Sequence, residues 1–322
     1  MRSRSLSTIV ATGVVALGLA GAGVAAAGTA SAAQPAKAAK LLYLSLGDSY
    51  SVGYQNPTLG NTPGFTGYVA KKEKLRLENF GCGGATTTSL FTQIGCPTGA
   101  SAATHGVAYP TTSQVTAVLG YIAAHPGQVK LVTVSIGGND VTSCASATNP
   151  ITCVVAARTT IQTNVANLVA QLDGALTDAG DTAAHIVGIT YPDVLLGDYV
   201  APVGSTNPVL AAQSVSAFDL LINPTLHAAY TSVTRGAFVN VTSAPYKKAT
   251  AGDDTGTFDT TTGAYTGPTQ SLKGFGKDVP VAVAEVCTLT WYCDASTFGD
   301  IHATTKGYDF IGRLIVAELG TP

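Results

Sequence analysis

The stretch Leu41-Leu42-Tyr43-Leu44-Ser45-Leu46-Gly47-Asp48-Ser49 is a mostly apolar run that stops at a glycine and continues with polar residues. A short apolar run bounded by a turn residue is typical of a buried β-strand. Later runs repeat this pattern, and we predict strands there as well. They are residues 129–136, 185–190 and 237–241, with a weaker one at 75–80.

Segments with apolar residues at helical spacing lie between these strands. We predict helices at 67–75, 112–124, 154–179 and 209–230, and a last helix that ends the chain. Alternating strands and helices, with strands that are apolar throughout, indicate a parallel sheet covered on both faces. We therefore predict one α/β domain over residues 33–322, with long loops at 191–208 and 242–299.

The first 32 of the 322 residues differ from the rest. Arg2 and Arg4 precede an apolar, Ala- and Gly-rich stretch that ends at Ala30-Ser31-Ala32, a small-x-small cleavage site. This pattern predicts a secretory signal peptide; the alternative is an uncleaved membrane anchor. By composition, no other run is apolar for long enough to span a bilayer, so we expect no stable membrane insertion once the leader is removed.

The charge composition excludes one class of partner. Charged residues are 11% of the chain, the formal net charge is −2 and the pI is about 6.2. Proteins that bind nucleic acid carry a basic excess or a basic stripe. We therefore expect no nucleic-acid partner. The low charge content itself needs another explanation.

The six cysteines fall into three local couples, and we predict the disulfides Cys82–Cys96, Cys144–Cys153 and Cys287–Cys293. An exported protein lies in an oxidising compartment, where such bonds persist. A zinc site would need closer cysteine pairs or nearby histidines, so we expect no metal.

Polar motifs follow the predicted strands, where parallel sheets bind their ligands. Asp48-Ser49 follows the first strand, a Gly-rich turn with Gly84 follows the second, and Gly137-Gly138-Asn139-Asp140 follows the third. Asp300 and His302 stand just before the last helix. Together these residues supply a hydroxyl, hydrogen-bond donors, an imidazole and a carboxylate.

This set of groups is typical of nucleophilic catalysis. A serine hydroxyl is a weak nucleophile until a base removes its proton, and an imidazole does this near neutral pH. Attack on an ester then places negative charge on the carbonyl oxygen. Backbone N–H groups of a Gly-rich turn and an asparagine amide stabilise such a charge.

The four blocks resemble those of the SGNH (GDSL) hydrolases, and they occur in the order typical of that family. The stretch Cys287-Thr-Leu-Thr-Trp-Tyr-Cys293 and Gly307-Tyr308 are also similar to exported actinobacterial members. The resemblance implies a flavodoxin-like three-layer α/β/α sandwich and hydrolysis of carboxylic esters without a cofactor. It implies Ser49 as nucleophile and His302 as base. The N–H groups of Ser49 and Gly84 and the side chain of Asn139 are then the oxyanion donors.

The last block departs from the usual Asp-x-x-His, because Asp300 stands only two residues before His302 and Gly299 occupies the third place. The group that orients His302 is therefore either Asp300 or a backbone carbonyl near Gly299. We expect Asp48 and Asp140 to brace turns through hydrogen bonds.

The expected function is that of a secreted serine esterase or lipase acting on a small-molecule or lipid ester. Two alternatives remain at this stage: a carbohydrate acetylesterase acting on acetylated polysaccharide, and a binding protein with a decayed site. Trp291 either lines the acyl pocket or anchors its loop. The sequence does not indicate an oligomeric state.

Overall fold

The computed structural model describes residues 40–97, 102–200, 206–242 and 256–320. The predicted signal peptide, residues 1–32, and the first residues of the predicted domain lie outside the described residues. Those that are described belong to one compact unit, Lys40–Pro322.

Five parallel strands form the central sheet, in the order β2-β1-β3-β4-β5. This is the strand order of flavodoxin-like folds, in which the order of the strands along the sheet reverses between β1 and β3 while all strands stay parallel. The strands are β1 (Leu42–Gly47), β2 (Arg76–Asn79), β3 (Val129–Ser135), β4 (His185–Ile189) and β5 (Gly236–Val239).

Helices connect these strands and cover both faces of the sheet. In chain order the described α-helices are α1 (Ser49–Val52), α2 (Gly64–Lys72), α3 (Ser89–Thr92), α4 (Gln114–Ala124), α5 (Gly138–Thr142), α6 (Pro150–Asp178), α7 (Pro208–Ala217), α8 (Asn223–Tyr230), α9 (Val281–Leu289) and α10 (Thr305–Glu318). Short 3₁₀ turns occur at Ser143–Ser146 and Val194–Tyr199, and a π-helical turn, Phe218–Ile222, joins α7 to α8.

The apolar core has two layers, one on each face of the sheet. In β1, Leu42, Leu44 and Leu46 belong to one layer, which also contains the buried faces of α4, α6 and α8. Tyr43 belongs to the other layer, with residues of α2 and α10. Because alternate side chains of a strand point to opposite faces, one apolar strand serves both layers. This confirms the predicted three-layer α/β/α sandwich.

The segment 242–299 is the clearest error of the sequence-based prediction, because it is not simply a loop. Its described part contains two antiparallel pairs and α9; the pairs are β6 (Thr257–Phe258) with β7 (Tyr265–Thr266), and β8 (Thr269–Ser271) with β9 (Asp278–Pro280). The strands have two or three residues each, too few to show an alternating pattern. The helix predicted at 67–75 also begins earlier and ends at Lys72, and Lys74 follows with a left-handed φ of 57°.

One helical stretch, Pro208–Tyr230, is long and apolar enough by composition to cross a membrane, with a mean hydropathy of 1.2. The expectation that no run after the leader meets this criterion was therefore wrong. In its most apolar 18-residue window, 44% of the residues are buried. Tyr230 packs in the core layer of α6, and Arg158 of α6 donates a hydrogen bond to Thr225. The stretch therefore packs as a core helix in this structure.

Gly47, the last residue of β1, adopts a backbone conformation that requires glycine. Its φ is +130°, and a Cβ there would lie 2.0 Å from the carbonyl oxygen of Ser135 in β3. Asp48 then donates its N–H to the same Ser135 oxygen at 3.1 Å. The glycine thus allows β1 and β3 to end side by side, with the following residues turned across the edge of the sheet.

The substitution Gly47→Ala tests this requirement, and Gly120→Ala is a matched control. At Gly47 we expect a loss of more than about 3 kcal/mol in the free energy of unfolding, because both backbone strain and a clash with backbone result. Gly120 lies inside α4 and a Cβ there meets open space. For Gly120→Ala we therefore expect the free energy of unfolding to increase by about 0.5–1 kcal/mol. Denaturant unfolding measures both, and equal stability of the two variants would contradict the account.

Candidate active site

The turn after β1 presents Ser49 as the first residue of α1. Asp48 precedes it as the N-cap, and its carboxylate accepts a hydrogen bond from the N–H of Tyr50 at 3.0 Å. The first N–H groups of a helix have no partner within the helix. Ser49 therefore presents two groups at the carboxyl edge of the sheet: its hydroxyl, and a backbone N–H that has no partner within the helix.

A buried glutamine holds the residue before this turn. The side-chain oxygen of Gln114 accepts from the N–H of Gly47 at 2.7 Å, and its Nε2 donates to the carbonyl of Gly47 at 3.1 Å. The amide thus pairs with the end of β1 much as a neighbouring strand would. Sequence reasoning missed Gln114, because 67 residues separate it from Gly47.

Ser49, His302 and Asp300 form a continuous chain of hydrogen bonds. The Oγ of Ser49 lies 2.9 Å from Nε2 of His302, and Nδ1 of His302 lies 2.7 Å from Oδ1 of Asp300. The same carboxylate oxygen accepts from the backbone N–H of His302 at 3.0 Å. Of the two groups considered for orienting the imidazole, the structure places Asp300 in contact with it. Asp300 therefore reaches the imidazole even though one residue, and not the usual two, separates it from His302.

The imidazole is largely enclosed by aromatic residues. The ring of Tyr54 meets that of His302 edge to face with centroids 4.6 Å apart, and Tyr50 donates to the adjacent carbonyl of Ile301 at 2.6 Å. Burial lowers the pKa of His302 below its usual 6.5, and the hydrogen bond and charge of Asp300 oppose this by raising it. The ring is consequently neutral at pH 7, with Nε2 facing the hydroxyl when the proton is on Nδ1.

Two of the three expected oxyanion donors, Gly84 and Asn139, lie on neighbouring turns, after β2 and β3. Nδ2 of Asn139 donates to the carbonyl of Ala85 at 2.9 Å, which places the amide beside the Ala85–Thr86 peptide, one residue after Gly84. An asparagine amide has two N–H donors, so the second N–H of Asn139 is left for another acceptor. Gly84 has φ +79°, and the position of a Cβ there is open space. Asn139 and Ser49 line the same cavity.

Asp140 joins these two turns. Its carboxylate accepts from the N–H of Thr87 at 2.9 Å and from the Thr87 hydroxyl at 2.6 Å, and burial raises its pKa. Asn164 of α6 donates to the same hydroxyl at 3.2 Å. As expected from the sequence, Asp140 braces a turn, but Thr87 and Asn164 were not anticipated.

Asp48 also has a bracing geometry. Besides capping α1 it accepts a hydrogen bond of 2.5 Å from the hydroxyl of Tyr191, which follows β4. Burial raises the pKa of Asp48 to about 7. Tyr191 was missed by sequence reasoning, although its position just after a predicted strand was an available signal.

The structure pairs the six cysteines as predicted, and each disulfide ties down a loop or turn next to the site. Cys82–Cys96 closes the loop after β2, Cys144–Cys153 joins the turn after α5 to α6, and Cys287–Cys293 joins α9 to the loop before His302. Among the described residues, no group of three or more His, Cys, Asp or Glu side chains could hold a metal ion.

Trp291 anchors its loop. Its indole N–H donates to the side-chain oxygen of Gln55 at 3.3 Å, and its backbone N–H donates to the carbonyl of His302 at 2.9 Å. The residue does not belong to the wall of the cavity at Ser49. Of the two roles considered from the sequence, the structure supports anchoring.

A cavity of about 250 Å³ opens at Ser49 and Asn139. It extends away from them between α5 and the π-helical turn, beside Tyr191. Apolar side chains form most of the far wall, and they are Val141, Val194, Leu195, Phe218 and Ile222. The arrangement can therefore place a bound carbonyl group against the hydroxyl of Ser49 with an apolar group beyond it.

The titration of His302 tests the contact with Asp300. We expect the imidazole to titrate below pH 6.5 in the native protein, because burial disfavours its charged form. Replacement of Asp300 by Asn removes the carboxylate that raises this pKa, so the titration should move further down. An NMR pH titration of the ring protons measures both values. Asp294→Asn, an exposed position in the same loop, is the control. A His302 pKa that rises in Asp300→Asn would contradict the geometry.

Comparison with known proteins gives one family match. Residues 43–315 match the family described as GDSL-like Lipase/Acylhydrolase, and this range contains all four sequence blocks. A search among curated proteins gives no significant match to this sequence.

Several solved structures are similar to this chain. Phospholipase A1 from Streptomyces albidoflavus NA297 is 16% identical with a TM-score of 0.48, over 87% of this chain and 100% of that one. The extracellular lipase from Streptomyces rimosus is 20% identical with a TM-score of 0.47, over 86% and 99%. A catalytic mutant of Axe2, an acetylxylan esterase from Geobacillus stearothermophilus, is 15% identical with a TM-score of 0.43, over 88% and 96%.

The match extends over most of the chain and over the whole described site. The chain therefore belongs to the GDSL-like lipase/acylhydrolase family of carboxylic ester hydrolases.

Proposed function

We propose that the protein is a secreted serine esterase or lipase that cleaves carboxylic esters through an acyl-enzyme on Ser49. The observation that carries the proposal is the hydrogen-bonded chain Ser49–His302–Asp300 at the mouth of an apolar cavity. No cofactor enters the proposed reaction. The substrate is a small-molecule or lipid ester.

Each group has one task in the proposed reaction. Nε2 of His302 takes the proton of the Ser49 hydroxyl as its Oγ forms a bond to the ester carbonyl carbon. The negative oxygen accepts hydrogen bonds from the N–H groups of Ser49 and Gly84 and from Asn139. His302 then gives the proton to the departing alcohol oxygen. A water molecule repeats the sequence on the acyl-enzyme and releases the acid.

Asp300 acts on the imidazole rather than on the substrate. It holds the ring with Nε2 toward Ser49, and its negative charge stabilises the imidazolium that forms during each proton transfer. The two hydrogen bonds from His302 to one carboxylate oxygen fix this orientation from both the ring and the backbone.

Removal of the Ser49 hydroxyl tests this function. We expect kcat for a p-nitrophenyl ester to fall by at least about 10⁴-fold in Ser49→Ala, because the nucleophile is lost. Stoichiometric labelling by a fluorophosphonate probe should also disappear. Ser51→Ala is the matched control: its hydroxyl, in the same turn, contacts the carbonyl of Leu46 and not His302. If the wild-type protein binds esters but is neither active nor labelled, a binding protein with a decayed site is the correct alternative.

An acetylesterase acting on polysaccharide remains the second candidate, because the same groups remove acetyl groups. The cavity favours a larger acyl group. An acetyl group would leave most of its apolar wall, from Val141 to Phe218, uncovered, and apolar surface is costly to leave in contact with water.

Secretion is part of the proposal, and the three disulfides and the N-terminal pattern support it. We expect the protein exported by its native host to begin near Ala33. N-terminal sequencing of the protein from culture supernatant measures this. A chain that begins at Met1, or one retained in the membrane fraction, would contradict secretion by signal cleavage.

A further inference from the structure

The cavity at Ser49 has a second, smaller cavity behind it. The second one has a volume of about 50 Å³, against about 250 Å³ for the first. Their walls have several residues in common, which means that the two spaces adjoin. The shared residues are Val141, Ala145, Leu195, Phe218 and Ile222.

The second cavity suits an apolar group. Its far side is formed by Ile151, Val154 and Cys144, whose disulfide to Cys153 joins the turn after α5 to α6. Two polar residues also line it, but their side chains have partners. Ser214 donates to Ala211 or Asp193, both at 2.8 Å, and Gln213 donates to the carbonyl of Thr260.

The volumes correspond to a chain of limited length. A methylene group occupies about the same volume as a water molecule in the liquid, roughly 30 Å³. The first cavity then holds about eight non-hydrogen atoms and the second about two more. A straight acyl chain that starts at Ser49 would fill both with about eight to ten carbons.

Ala145 lies on the wall that the two cavities share. It has the smallest side chain of the shared residues, and it belongs to the 3₁₀ turn Ser143–Ser146 that Cys144 ties to α6. Leucine at this position adds three carbons, about 90 Å³ at the same volume per atom, which exceeds the whole second cavity.

We propose that the substrates are esters of medium-chain acids, that the acyl chain runs from Ser49 past Ala145 into the second cavity, and that Ala145 sets the preferred length. This inference rests on the proposed function, since it assigns the acyl side of the same site. The disulfide Cys144–Cys153 then forms part of the wall at the end of the chain.

Initial rates on p-nitrophenyl esters from C2 to C16 test the inference. For the wild type we expect kcat/KM to rise toward a maximum at C8 to C10, by up to about fourfold for each added methylene that becomes buried, and to fall for longer chains. In Ala145→Leu we expect at least a tenfold loss on C8 and C10 and less than a threefold change on C4. Ala147→Leu, two residues further on and in neither cavity wall, should keep the wild-type profile.

Fluorophosphonate labelling of Ser49 shows whether Ala145→Leu is folded. If it is not, a second variant still tests the inference. Leu195→Ala removes side-chain volume from the wall that the two cavities share and so enlarges the space. The acyl-chain length with the highest kcat/KM should therefore increase in this variant. A wild-type maximum at C2, or a chain-length profile unchanged in the folded variants, would overturn the inference while labelling and C4 hydrolysis still support the proposed function. Absence of both labelling and hydrolysis in the wild type would instead refute the function.

Discussion

At the end of β1, the backbone of Gly47 makes hydrogen bonds on two sides. The side-chain amide of Gln114 accepts from its N–H and donates to its carbonyl. The backbone N–H of Cys82 also donates to that carbonyl, at 2.9 Å. The absence of a Cβ lets the same residue lie directly against Ser135 of β3. These contacts connect the first three strands at the point where Ser49 begins α1. The position of Ser49 therefore depends on backbone geometry that glycine alone permits.

The strand order explains why the other groups arrive at the same place. The order of the strands along the sheet reverses between β1 and β3, and ligands of open parallel sheets bind at such a point. Ser49 follows β1 and Asn139 follows β3, while Asp140 ties the turn that contains Gly84 to α5 through Thr87. The three disulfides lie in the loops around this point. The disulfides limit the freedom of the unfolded chain in the segments that form the site. This stabilises the fold in a chain that has few charges.

The sequence allowed prediction of the features that are local. Four of the five sheet strands were continuous or nearly continuous apolar runs; β2, with Arg76 and Glu78, was the exception. Ser49, Gly84 and Asn139 stood just beyond strand ends, and Asp300 and His302 stood before the last helix. The contacts that orient those side chains are long-range: Gln114 to Gly47, Asp140 to Thr87 and Tyr191 to Asp48 join distant residues, so no spacing reveals them. The strands in segment 242–299 were missed because two or three residues are too few to show an alternating pattern, and α9 in the same segment was missed as well. The cavity at Ser49 likewise combines residues from several segments that are far apart in the chain.

A crystal structure of the protein inactivated by an octylphosphonate ester tests the central claim most directly. The account predicts phosphorus bonded to Oγ of Ser49 and its oxygen about 2.7–3.1 Å from the nitrogens of Ser49, Gly84 and the Asn139 side chain. The alkyl chain should extend toward Ala145. A phosphonyl oxygen that faces away from these donors, or an adduct on another residue, would contradict it.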